Sequence, residues 1–330
     1  MQEPANNLLA ICIPTYNRAA KLREGLEWLL ILVRRYNIPV YVSDNASTDG
    51  TEAVVRELQA GYPYLFYSRN PENYGADRNF EIVLKQPPAA FAWLLSDDDR
   101  LVDGALERAL EIIRNGVYDL ILFNGGKLDK GNLVRGRVRD IPSRAYFDRN
   151  ELLADLGWHT TWMSGLLFGQ GLREGGNFDR YYKSSLLHVG VIFDYFADRE
   201  PTVYWEANPG FFDAADGWAA WYSNAFEIFV DNWRRVIDGL PDSYSGAAKR
   251  TCIKAHGMKS GVFATISDFK RLRRMGYYNL DVYRRYRLAF RLVTDIPPAI
   301  LWCCAIWPNV AKLLYFCYRL PGRRHAKRRY

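Results

Sequence analysis

Over the first 125 residues, short unbroken apolar runs alternate with runs in which apolar residues recur at helical spacing. That is the pattern of βα units feeding a largely parallel sheet. Leu8 to Ile13 is apolar throughout up to Pro14 and predicts a buried strand. Ala19 to Arg35 follows, with Leu22, Leu26, Leu29, Leu30 and Val33 on one helical face. Further strands are predicted at Val40 to Ser43, Tyr64 to Tyr67, Phe91 to Leu95 and Leu120 to Phe123. Helices are predicted at Thr51 to Gln59, Asp77 to Leu84 and Asp103 to Arg114. The polar loops fall at the C-terminal ends of the strands, where open α/β sheets bind ligands. From Lys127 to Leu240 the periodicity weakens and aromatics crowd in, among them Trp158, Trp162, Trp205, Trp218, Trp221 and Trp233. Pro241 to Gly246 reads as a hinge, and the chain beyond it as helical and basic.

Composition changes this picture in two places. Among 330 residues, 49% apolar and 25% charged exclude a wholly disordered chain. The net charge of +7 conceals a division. Residues 249–330 hold 19 Lys/Arg against Asp268, Asp281 and Asp295, a net of +16, whereas the other 248 residues hold 25 basic and 34 acidic side chains, a net of −9. A basic partner surface therefore belongs to the C-terminal third. The five cysteines are odd in number and lack CxxC spacing. That excludes a zinc ribbon or thioredoxin motif, and a reducing compartment is expected. No basic-then-apolar segment opens the chain as a secretion signal would.

The sharpest chemical feature is Asp97-Asp98-Asp99, directly after Ala92-Trp93-Leu94-Leu95. Three carboxylates at a strand end repel one another unless a cation lies among them. Two of their oxygens, with water and a diphosphate, suit octahedral Mg2+ or Mn2+. A solvated acidic turn is the plain alternative, but the position after a buried strand in a βα series favours the metal.

Ile11-Cys12-Ile13-Pro14-Thr15-Tyr16-Asn17-Arg18, Val42-Ser43-Asp44-Asn45-Ala46-Ser47-Thr48-Asp49-Gly50, Asn73-Tyr74-Gly75-Ala76-Asp77-Arg78-Asn79 and the aspartates at 97–99 occur in one order, each after an expected strand. This set resembles the family 2 glycosyltransferases, and the Trp-Leu-Leu-Ser-Asp-Asp-Asp form resembles their abequosyltransferase-like branch in O-antigen and capsule assembly. The resemblance implies an α/β GT-A fold, Rossmann-like, with helices on both faces of a mostly parallel sheet. It implies a nucleotide-sugar-binding half over 1–125, an acceptor-binding half over 126–248 and a helical, basic extension over 249–330.

By the same resemblance Thr15, Tyr16, Asn17 and Arg18 would serve the donor pocket, with Tyr16 stacking on the base and Asp44 accepting from its edge. Asn45 would help shape that loop; Asn73, Gly75, Arg78 and Asn79 would cover the sugar and diphosphate. Asp97 and Asp98 would face the donor, and Asp97 or Asp99 would grip Mn2+ or Mg2+. Ser96 stands where the family often has an aspartate, which leaves the metal ligand open. The acidic Glu-Asp pair of many relatives is missing from the matching stretch Ser184 to Asp194, so His188 or Asp194 is the expected catalytic base, with His159 a third candidate.

The expected activity is inverting, metal-dependent transfer of a sugar from a nucleotide-sugar to a polyprenyl-linked saccharide of bacterial surface polysaccharide. The enzyme rival is a nucleotidyltransferase acting on sugar phosphates, disfavoured because Pro14-Thr15-Tyr16-Asn17 is no Gly-rich phosphate loop. The non-enzyme rival is a membrane adaptor that keeps the sugar-nucleotide fold.

In the last third, Lys270 to Arg274 and Arg284 to Arg291 are basic and helical, and Ile296 to Tyr318 is apolar and aromatic. Pro297, Pro298, Pro308, Asn309 and Lys312 interrupt the apolar stretch, which predicts an interfacial helix on an anionic membrane surface rather than a span. A peripheral place on the cytoplasmic face of the inner membrane follows, and no nucleic-acid motif accompanies the basic residues.

Overall fold

Strand β1 (Leu9–Thr15) is buried along its whole length, as its unbroken apolar run requires, and lies between β2 (Val40–Asp44) and β4 (Phe91–Leu94), parallel to both. The computed structural model describes residues 5–129, 132–213 and 220–307. β3 (Leu65–Arg69) extends the sheet beyond β2, again in parallel. Helices α1 (Ala19–Val33), α2 (Thr51–Gln59) and α3 (Ala76–Lys85) connect these strands. α1 buries Leu22, Leu26, Leu29, Leu30 and Val33, the stripe read from the sequence.

Past β4 the sheet becomes mixed. β5 (Asp99–Leu101) leads into α4 (Ala105–Asn115), followed by β6 (Leu120–Asp129), β7 (Asn132–Gly136), β8 (Arg144–Tyr146) and α5 (Arg149–Leu156). β9 (Leu166–Gly169) runs antiparallel between β4 and β6, and the long β10 (Val203–Asp213) lies parallel to β6. α6 (Gln170–Gly175) and α7 (Leu187–Tyr195) stand between β9 and β10 in the chain. The resulting order is β3-β2-β1-β4-β9-β6-β10-β5, with β7 beside β6 and β8 beside β10. Trp93 of β4 stacks on Phe123 of β6 at 4.9 Å between centroids and donates its indole N–H to the Ser164 carbonyl (2.8 Å), tying the two halves of the sheet.

The chain divides into two compact units. One comprises residues 1–217 with 239–245 and contains the sheet. The other comprises 218–238 with 246–330, so a segment preceding the hinge belongs with the C-terminal helices. Its described helices are α8 (Trp233–Asp238), α9 (Gly246–Lys259), α10 (Ile266–Arg274), α11 (Leu280–Tyr286), α12 (Phe290–Val293) and α13 (Pro298–Ile306). Its core is aromatic: Phe226 stacks on Tyr278 and Tyr286, and Phe269 meets Tyr278 and Phe290 edge-on.

α13 buries Ile300, Leu301, Cys303, Cys304 and Ala305, and Tyr278 donates to the Leu301 carbonyl (2.9 Å). The first part of the expected interfacial stretch is thus packed into this unit, with Trp302 and Trp307 left exposed. Lys312, Tyr318 and the Arg319–Arg329 run lie outside the described residues. Among the described residues no helix is long and apolar enough to cross a membrane. The four described cysteines are free and buried.

Candidate functional site

Strand order reverses at β1, whose neighbours are β2 on one side and β4 on the other, and the sheet opens there into the crevice in which doubly wound folds bind ligands. The first site residues stand on its two walls. Thr15 ends β1 and Asp97 follows β4, and Thr15 Oγ1 donates to Asp97 Oδ2 (2.8 Å). Arg18, at the entry to α1, places Nε 3.2 Å from Asp97 Oδ1 and pairs through a second nitrogen with Asp98. Asp98 also accepts from the Ser96 hydroxyl (2.5 Å), and the Ser96 amide donates to Ser164 Oγ (3.0 Å). Asp97 is only 4% exposed. Burial pushes its pKa up to about 6; Arg18 works against that shift and Asp98 adds to it. Asp99 opens β5, and its charge also acts on Arg18.

At the end of β2, Asp44 is fully buried and accepts from the Ser47 amide (2.8 Å) and the Tyr67 hydroxyl (2.7 Å), with Arg69 Nε at 3.9 Å. Tyr67 and Arg69 were not read as site residues. The signal was available, because parallel pairing of β2 with β3 sets Arg69 opposite Asp44. Asn17 adopts a left-handed conformation (φ 51°), which asparagine tolerates, and knits the β1 turn to the β2 loop. Its amide donates to Ser47 Oγ (2.8 Å) and its side chain accepts from the Thr48 amide (2.7 Å). Tyr16 stands beside it, 42% exposed, with a ring face open for stacking.

The Asn73–Asn79 motif divides into framework and lining. Asn45 donates to Asn73 Oδ1 (2.7 Å) and to the Gly75 carbonyl (3.2 Å), and accepts from the Tyr74 amide (3.0 Å), so it holds the loop before α3. Asn79 is buried among Ser43 and Asn70 and serves the framework. Gly75 has φ 83°, a conformation that favours glycine, and a Cβ there would meet nothing within 4 Å. Arg78 pairs with Glu81 (2.9 Å) and with the Tyr182 hydroxyl, which also donates to Glu81. Tyr74, Gly75, Ala76, Asp77, Arg78, Tyr182, Lys183 and Ser185 line a cleft of about 470 Å³.

No hydrogen bond or ion pair described for the expected bases reaches Thr15, Arg18, Asp97 or Asp98. His188 is buried in α7 against Phe80, and neither ring nitrogen makes a hydrogen bond of normal geometry. Burial lowers its pKa to about 4, so the ring is neutral at neutral pH. Asp194 accepts from Arg180 (2.7 Å) and the Tyr181 hydroxyl (3.2 Å). His159 lies among Trp158, Trp162 and Trp205 and accepts from the Gly125 amide (3.2 Å); burial, then Arg137, lowers its pKa to about 3. Trp158, Trp205 and Trp233 are likewise core residues, while Trp162 carries the Arg137 guanidinium 4.2 Å above its ring.

Among the described residues, no three His, Cys, Asp or Glu side chains converge into a ready-made metal cage. The oxygen donors of Asp97 and Asp98 nevertheless suit a hard divalent cation in kind, and Arg18 supplies the positive charge between them in this structure.

The chain matches known proteins in sequence over part of its length. Over 105 residues it is 38% identical to the abequosyltransferase RfbV of Salmonella typhimurium, a match covering 30% of each chain. Over 129 residues it is 31% identical to the GalNAc(5)-diNAcBac-PP-undecaprenol beta-1,3-glucosyltransferase of Campylobacter jejuni, covering 38% of this chain and 41% of that one. The matches thus span about a third of these curated relatives. In fold, the structure of S. aureus TarS 1–349 in complex with UDP-GlcNAc superposes with a TM-score of 0.58 at 14% identity, over 90% of this chain and 87% of that one. The mannosyltransferase PcManGT from Pyrobaculum calidifontis, solved with GDP-Man and Mn2+, gives 0.52 at 16% identity, over 96% and 88%. These likenesses establish the GT-A fold expected from the sequence. The model of glycosyl transferase family 2 matches residues 10–172, from β1 through β9 and so across every strand end that bears the cluster, and this part of the chain is a domain of that family.

Proposed function

We propose that the protein transfers a glycosyl group from a nucleotide-sugar to a saccharide acceptor in the assembly of a bacterial surface polysaccharide. The observation that carries this reading is the Thr15–Arg18–Asp97–Asp98 cluster across the β1/β4 crevice, within a family 2 domain. The Tyr16 face and Asp44 form the base end of the donor pocket, with Ser47, Tyr67 and Arg69 fixing Asp44. Arg78, which lines the cleft at the start of α3, would meet a phosphate oxygen of the donor with its guanidinium. Asp97 and Asp98, with Asp99 beside them, would hold Mn2+ or Mg2+. Bound there, the cation would stabilise the negative charge that develops on the departing diphosphate.

The acceptor hydroxyl attacks the anomeric carbon as the bond to the diphosphate oxygen breaks, so that carbon is inverted. The hydroxyl proton passes to water as the new bond forms, and the nucleoside diphosphate departs as the anion. A lipid-linked acceptor is supported by the name of the Campylobacter relative, and a peripheral place on an anionic membrane by the basic C-terminal third with Trp302 and Trp307 exposed. The test supplies radiolabelled UDP-, GDP-, CDP- and dTDP-sugars with bacterial lipid extract. Chelator-sensitive label in the lipid fraction supports the reading. Failure of every donor to transfer, with manganese present, overturns it.

A further inference from the structure

Asp77 is the second residue of α3, where an acidic side chain ordinarily stays with the N-terminus of its own helix. Here it reaches across the cleft instead. Its Oδ2 accepts from the Ser185 amide (3.0 Å) and its Oδ1 from the Leu187 amide (3.4 Å). Leu187 begins α7, whose preceding residue, Leu186, offers no capping side chain. The first amides of a helix have no partner within it, so α3 supplies the acceptor that α7 lacks.

The segment held this way is strained. Lys183 (φ 64°) and Ser185 (φ 59°) both lie in the left-handed region, two residues apart, and neither is glycine. Such conformations persist only where their surroundings fix them. Both ends of the segment are anchored to α3: Tyr182 through Arg78 and Glu81, Ser185 through Asp77. Tyr182, Lys183 and Ser185 form one wall of the 470 Å³ cleft, and the start of α3 forms the other. Asp77 itself is 8% exposed, and its charge is met by backbone amides.

We propose that Asp77 is a positioning residue that clamps the 183–185 segment in its left-handed form and thereby sets one wall of a cleft in which the donor diphosphate would lie on the Arg78 side and the acceptor saccharide against 183–185. This rests on the transferase reading above, because the wall matters for transfer. The clamp itself can be tested without activity. In D77N the amides of Ser185 and Leu187 should exchange with solvent at least tenfold faster, while binding of the tightest of UDP, GDP, CDP and dTDP changes less than twofold. For transfer to undecaprenyl-diphosphate-linked N-acetylglucosamine, the acceptor KM should rise tenfold or more with a smaller change in kcat. Glycine adopts positive φ without strain, so the triple variant D77N/K183G/S185G should recover most of the lost kcat/KM.

Unchanged amide exchange in D77N overturns the clamp. A transfer defect that the glycine pair does not repair also overturns it, by giving Asp77 a role of its own in the chemistry. If D77N is too unstable to purify, recovery of a folded triple variant supports the clamp and failure to recover one contradicts it. Absence of transfer by the unaltered protein defeats the transferase reading, and the exchange measurement then decides the clamp alone.

Discussion

Asp97 is a carboxylate that the fold keeps at a cost. Burial raises its pKa from 3.8 to about 6, so holding it ionised at neutral pH opposes folding by about 3 kcal/mol, at 1.36 kcal/mol per pKa unit. Asp97→Asn should therefore leave the thermal midpoint unchanged or higher, while lowering transfer about 100-fold or more. A variant of normal turnover would remove Asp97 from the site.

The buried histidines impose the opposite pH dependence. His159, His188 and His256 have pKa values lowered to about 3, 4 and 3, against about 6.5 when unfolded. The unfolded chain binds more protons between those limits, so stability is full above pH 6.5 and falls as acid is added towards pH 4. Each contributes a loss of about 2 kcal/mol by pH 5. Denaturant titrations at pH 7 and pH 5 should show that loss, and His188→Phe should reduce it by one histidine's share. At this scale the motifs made Thr15, Asp44 and Asp97 legible. Asn45, expected to shape its loop, does hold the turn before α3, but the motifs did not distinguish Asn79, which holds the framework, from residues that face a ligand, because a motif carries residue types and not side-chain direction.

Among the elements, the βα half was legible because β1, β2 and β4 are largely buried and read as short apolar runs, while β3, at the edge of the sheet, buries mainly Leu65. Polar residues concealed the strand ends, and β1, β2 and β3 each run on to Thr15, Asp44 and Arg69, the residues nearest the site. β5 and β9 went unread. They have three and four residues, and their partners lie far away in sequence, so no local period announces them. Nor did the sequence show why α1 carries a glycine on its inner face. A Cβ on Gly25 would lie 2.7 Å from the Asp97 carbonyl oxygen, so glycine lets the helix approach the turn that bears the cluster. Gly25→Ala should cost about 1–3 kcal/mol and weaken nucleotide binding as α1 and Arg18 are pushed outward. Chemical denaturation and calorimetry on that variant check both; unchanged affinity would show that the turn tolerates the shift.

In the molecule as a whole, charge divides where function is proposed to divide. Residues 249–330 carry +16 while the rest of the chain carries −9. Residues 308–330 hold seven Lys/Arg, each worth about 1 kcal/mol near an anionic lipid surface. Because α13 is packed, the informative truncation falls after Trp307 and not before the helix. That protein should lose most of its co-sedimentation with acidic vesicles yet bind nucleotide as the full chain does. Equal sedimentation would place the membrane contact elsewhere. The central claim, a nucleotide-sugar site at the β1/β4 crevice that works with a divalent cation, is tested most directly by calorimetric titration with UDP, GDP, CDP and dTDP, with and without Mn2+. The expected result is that one nucleoside diphosphate binds, that Mn2+ tightens it at least tenfold, and that Asp97→Asn removes the gain. Binding of none of the four, or binding indifferent to both Mn2+ and Asp97→Asn, would contradict the claim.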